Sequence, residues 1–115
     1  MDSKRYDNFF DGRIVLVTGG AGFIGSHLTQ HLAGLGATVR VLDDFSSGIR
    51  ANLDGIELSL IEGSILDTAA VDEAIQGCSH VFHEAAFVSV PKSFEQPDTC
   101  FEINIKGTSN ILKAA

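Results

Sequence analysis

Residues 17–28 read VTGGAGFIGSHL, and four of those positions are glycine: Gly19, Gly20, Gly22 and Gly25. A plain connection between a strand and a helix needs one. The excess asks what comes so close to the backbone here that side chains are excluded. The flanks supply the context. RIVLV (13–17) is a continuous apolar, β-branched run, as expected of a strand buried on both faces. Downstream, Ile24, Leu28, Leu32 and Leu35 recur at helical spacing, and Gly34-Leu35-Gly36 closes the segment. A turn from strand into helix presents free backbone N–H groups and the positive end of the helix dipole, so an anionic group docks there if no Cβ intervenes. Gly19 then permits the tight turn, Gly22 the close approach of a pyrophosphate, and Gly25 the packing of helix on sheet. Gly20 to Gly25 also satisfies the spacing GxGxxG between a strand and a helix, the setting that motif requires.

Outward from this turn the chain alternates. A second strand is expected at TVRVL (38–42), then the loop DDFSSGIRANLDG, then a third strand within ELSLIEG (57–63). Asp67 is placed to cap a helix carrying Val71, Ala74 and Ile75, with Gly77 just beyond its end. HVFH (80–83) reads as a fourth strand, and SVPKSFEQP as a proline-bounded connection. A last helix starts near Asp98, with Phe101, Ile105, Thr108, Leu112 and Ala115 at helical spacing. This order predicts an α/β fold, a Rossmann-type parallel sheet of about four strands with helices on both faces. Residues 1–12 read as an N-terminal arm and 13–115 as the domain. The helical pattern is still running at Ala115, so the domain is expected to be an incomplete one, without its substrate domain.

The end of the second strand adds a test. Asp43 stands 21 residues after Gly22, close to the spacing of an acid that binds the adenosine ribose hydroxyls. Its carboxylate accepts from a 2′,3′-diol and repels a 2′-phosphate, and Asp44 adds a second charge. NAD is therefore expected rather than NADP. The formal charge of −7 argues against a nucleic-acid partner, and no apolar run reaches the length of a membrane span. Cys78 and Cys100 have neither CxxC nor Cys/His spacing, so no metal site is expected, and two reduced cysteines suit a cytoplasmic protein. His80 and His83, on an apolar strand, read as core or edge residues, and His27 and His31 as surface ones. Glu84 stands at the carboxyl end of a strand, where open parallel sheets bind ligands.

Together VTGGAGFIGSHL, LDDFSSG, VFHEAA, SVPKSFEQP and NIKGTSNIL resemble the extended short-chain dehydrogenase/reductase family, most closely its nucleotide-sugar epimerases and dehydratases. The resemblance runs from about Arg13 to Ala115. It implies Phe23 and Ile24 against the pyrophosphate, Asp43 and Asp44 on the adenosine ribose, and Ser46, Ser47 and Gly48 lining the adenosine end. Ser64 and Ile65 fall where the family has an acidic-aliphatic pair beside adenine; serine keeps a hydrogen bond there but no charge. Ala85 and Ala86 match small residues that let the central riboses pass, Asn104 an asparagine that organises the cofactor site, and Ser89 a position near the sugar pocket. A homodimer paired through the helix from Asp98 is also implied.

The family's chemistry is reversible hydride transfer between NAD and a sugar hydroxyl through a transient keto-sugar. Its base is the tyrosine of a Tyr-x-x-x-Lys pair. The one tyrosine here is Tyr6, four residues before Phe10 and upstream of the first strand. No catalytic residue is therefore assigned, and the chain by itself is expected to be inactive. The resemblance implies the NAD-binding part of a UDP-sugar 4-epimerase; a nucleotide-sugar dehydratase or decarboxylase is the alternative, and a non-catalytic NAD-binding module is a reading from another class.

Overall fold

A computed structural model describes residues 8–86 and 94–115. Strand β1 (Ile14–Thr18) enters the glycine turn and leaves it as helix α1 (Phe23–Gly34). Strand β2 (Thr38–Asp43) follows, then a 3-10 turn (Arg50–Leu53), β3 (Ser59–Glu62), α2 (Thr68–Ile75) and β4 (His80–His83). Helix α3 (Pro97–Phe101) continues through a π-helical stretch (Glu102–Gly107) into α4 (Thr108–Ala114). The strands form one parallel sheet in the order β3-β2-β1-β4. The predicted α/β architecture is the observed one.

Both faces of the sheet are covered, which is why β1 and β2 need no polar alternation. Val15, Val17, Val39 and Val41 pack with Leu32 of α1 and with Leu53; Phe10, from the arm, joins that layer. On the other face Leu16 and Leu42 pack with Ile65, Val71, Ala74 and Ile111. Each such aliphatic side chain, fully buried, contributes about 1.5–3 kcal/mol. Asp67 caps α2 as expected, its carboxylate accepting from Ala69 N and Ala70 N. The far end of α2 is held from the sheet: the Arg40 guanidinium of β2 donates to the carbonyls of Ala74 and Gln76, each at 2.7 Å.

Two helix faces differ from their sequence reading. In α1 the buried residues are Gly25, Ser26, Thr29 and Leu32, while Ile24 is 67% exposed. The start of the helix lies so close to the turn that small residues, rather than the aliphatic stripe, face inward. In the last helical segment Phe101, Ile105 and Leu112 are 57%, 56% and 71% exposed. Its inner face is Ile103, Gly107 and Ile111, brought in by a contact between Gly107 and the Ile65 side chain that leaves no room for a Cβ. The wider π turn lies between α3 and α4, so one 3.6-residue count does not describe both.

Candidate cofactor site

Three of the four glycines in the turn are demanded by the protein itself. Gly19 has φ +69°, and a Cβ there would lie 2.8 Å from the Ala85 backbone nitrogen. A Cβ on Gly20 would lie 2.7 Å from Val41 of β2. One on Gly25 would run into the carbonyl oxygen of Gly19, so this residue serves the approach of helix to turn, where the sequence suggested helix to sheet. Gly22 is different. Its φ of −75° suits any residue, and a Cβ would meet only the Gly19 carbonyl oxygen, at 3.4 Å, an ordinary contact. Nothing within the described residues requires glycine at this position. It is also the N-cap of α1, where among the described residues no side chain caps the first-turn N–H groups, and Phe23 and Ile24 beside it stand largely exposed. The turn is therefore an uncapped helix start with an open backbone at its mouth, the geometry an anionic group uses.

At the end of β2, Asp43 is 8% exposed and both of its carboxylate oxygens are engaged. Oδ2 accepts from Ala21 N at 2.9 Å and Oδ1 from Phe45 N at 2.8 Å. Each oxygen keeps a lone pair for a further donor such as a ribose hydroxyl. The acid thus braces the glycine turn, a role that spacing alone did not show. The following loop folds back over the same turn: Ile49 N and Asn52 Nδ2 both donate to Ala21 O, and a Cβ on Gly48 would lie 2.9 Å from the Ala21 Cβ. Asp44 closes a local turn by accepting from Ser46 N, and Ser46 and Ser47 are exposed. Phe45, at φ +59°, lies under the Arg50 guanidinium, which also pairs with Glu62 at 2.9 Å. Neither Arg50 nor Glu62 stood out in the sequence.

Ser64 and Ile65 follow β3. The Ser64 hydroxyl accepts from Leu66 N. The Ile65 side chain is core, 5% exposed, and its carbonyl accepts from Asn110 Nδ2. The Ile65 side chain is therefore taken up by the core, and of this pair only Ser64 has a side chain outside it. On the other side of β1, Ala85 lies against Gly19, Ala86 is exposed, and Asn104 sits in the π turn with Nδ2 3.4 Å from Cys100 Sγ. Ser89 lies outside the described residues. Sequence reading also missed a polar cluster between the ends of β1 and β4: Thr18, His83 and Thr108. A threonine closing an apolar strand just before the first glycine was the available signal.

The glycine turn thus lies where the strand order reverses, with β2 on one side of β1 and β4 on the other, the place where open parallel sheets bind ligands. Fold and site together define a Rossmann-type α/β domain. The chain belongs to the NAD dependent epimerase/dehydratase family, which it matches over residues 15–115. The UDP-N-acetyl-alpha-D-glucosaminuronate decarboxylase of Bacillus cytotoxicus is 41% identical over 103 residues, 87% of this chain and 32% of that protein. An epimerase structure from Methanothermobacter thermautotrophicus superposes with a TM-score of 0.92 at 34% identity, covering 96% of this chain and 34% of its own. The UDP-glucose 4-epimerase of Thermus thermophilus, solved in complex with NAD, gives 0.81 at 41% identity, over 88% and 33%. The chain spans about a third of the length of the curated relatives it matches.

Proposed function

We propose that these residues form the NAD-binding part of a nucleotide-sugar epimerase of the UDP-sugar 4-epimerase type. The observation that carries the cofactor reading is Gly22, for which, unlike the other three glycines of the turn, packing among the described residues gives no reason. The residues fit a dinucleotide: the uncapped start of α1 with Gly22 would take the pyrophosphate, and the free lone pairs of Asp43 the ribose diol, which disfavours the 2′-phosphate of NADP. NAD, when bound, supplies a reversible hydride acceptor. The chain's own part is to hold and orient it, and the Tyr-x-x-x-Lys base for the sugar hydroxyl is not among its residues. A UDP-sugar substrate, a cytoplasmic setting and a homodimer through the exposed face of Phe101, Ile105 and Leu112 complete the proposal.

The decarboxylase from Bacillus cytotoxicus, 41% identical, favours a second reading in which the same cofactor part serves decarboxylation of a nucleotide sugar. The test of the cofactor site is Gly22→Val. The backbone angles accept valine, so the variant keeps the wild-type unfolding free energy to within about 1 kcal/mol, while its NAD affinity in calorimetric titration falls at least tenfold. Equal affinity for wild type and variant would remove the pyrophosphate from this turn.

A further inference from the structure

The hydrogen bonds between β1, β4 and the π turn run in one direction only. Thr18 Oγ1 accepts from the backbone nitrogen of Ala85, at 3.1 Å, and shares the N–H of Glu84, at 3.0 Å, with the Thr18 carbonyl oxygen, 3.1 Å from the same nitrogen. A hydroxyl has two lone pairs and one proton, so with two N–H donors aimed at the oxygen its proton goes to His83 Nδ1, 2.7 Å away. Nδ1 therefore carries no hydrogen. The neutral ring holds its proton on Nε2 and donates it to Thr108 Oγ1 at 2.9 Å. Thr108 in turn donates to the carbonyl of Asn104 at 2.8 Å. The Asn104 carbonyl, which can only accept, fixes the direction from the far end, and a proton on Nδ1 would crowd the N–H donors already aimed at Thr18 Oγ1. Burial, which pushes the His83 pKa below the ordinary imidazole range, acts in the same sense against the Glu84 charge that raises it.

The position of this relay gives it a consequence for the site. Thr18 immediately precedes Gly19 and is paired in register with His83. The two N–H groups it accepts belong to the backbone against which Gly19 is packed, 2.8 Å from where its Cβ would be. The far end of the relay closes on the first residue after the π turn, and such turns gather at functional sites. We infer that His83, locked as its Nε2–H tautomer, is a positioning residue that sets the gap between the ends of β1 and β4 and fixes the π turn relative to it, and thereby sets cofactor affinity. The affinity part of this inference rests on the NAD reading above; the relay itself does not.

The experiment separates them. Side-chain nitrogen NMR of the wild-type chain at pH 7.5 reads the tautomer directly, and NAD titration reads the positioning. His83→Phe keeps a ring of similar shape and loses both bonds; its NAD affinity drops about tenfold, the worth of one neutral hydrogen bond. His83→Asn offers an acceptor where Nδ1 stood, restores the clasp on Thr18 and recovers most of that loss. The wild-type ring shows the Nε2–H pattern. An Nδ1–H pattern or His83→Phe binding NAD like wild type overturns the inference. If His83→Phe does not fold, Thr108→Val, which cuts only the far end, decides: unchanged NAD affinity sinks the link to the π turn. Wild type that shows the Nε2–H pattern but does not bind NAD overturns the cofactor reading and with it the positioning role, leaving the relay as a structural device.

Discussion

The ends of β2 and β4 each carry a hydrogen-bonded polar side chain on opposite sides of β1, buried in Asp43 and half-buried in His83, and they satisfy it in opposite ways. Asp43 is an acid whose two oxygens face two backbone N–H groups. His83 is a neutral ring whose two nitrogens face two hydroxyls. The first arrangement needs charge on the side chain, because only a carboxylate accepts on both sides at once. The second needs the absence of charge, because each hydroxyl has one proton and a fixed direction in which to give it. The same problem, holding a loop onto the glycine turn, is solved by an acceptor on one side and by a polarised relay on the other.

The comparison is broken most strongly at Asp43. Asp43→Ala leaves the N–H of Ala21, a fully buried residue, without its acceptor. The cost is about 2–3 kcal/mol, read as a lower urea midpoint. Asp43→Asn recovers little, since its amide can accept on one side only. On the proposed cofactor role, the ratio of NAD to NADP affinity narrows as well, and that ratio does not depend on how much stability is lost. An unchanged midpoint would show that the acid does not brace the turn. Acid sharpens the comparison from the other side. His83 has a lower pKa folded than unfolded, so the unfolded chain binds more protons and its contribution to stability is complete only above the ordinary imidazole value, about 6.5. That contribution fades as pH falls through this value toward the folded pKa. Urea midpoints between neutral pH and the carboxylate range should fall more steeply for wild type than for His83→Asn; parallel curves would mean that the ring already titrates freely in the fold. The smallest effect belongs to Glu62, the register partner of Asp43 on β3, whose pair with Arg50 is more than half exposed on both sides. Glu62→Gln should change stability by about 0–1 kcal/mol, and a larger shift in midpoint would show that the stack of Arg50 on Phe45 depends on that carboxylate.

Most of the fold was legible because its signals are local. The runs at 13–17 and 38–42, the Asp67 cap and the glycines at helix ends each announce an element without reference to anything distant. Legibility ended where a close approach decides which face turns inward. Ile24 and Ile105 look like core residues in the sequence and are exposed, because Gly25 and Gly107 bring backbone nearer than an aliphatic side chain allows. The site followed the same rule. Gly19 and Asp43 stand out by spacing, but the bracing by Asp43 and the relay through Thr18, His83 and Thr108 join residues up to 65 positions apart. No periodicity reports such contacts.

Arg40 has an effect on how the domain opens. Helix α2 has eight residues, too few to persist in water by itself, and its last carbonyls are held by a guanidinium rooted in the neighbour of the central strand. The helix therefore does not fray independently of β2; the two protect each other from exchange with solvent and open as one cooperative unit. Ser64 to Asp67, the segment that leads from β3 into that helix, is thereby tied through the Asp67 cap to the same cooperative unit, even though it is a loop.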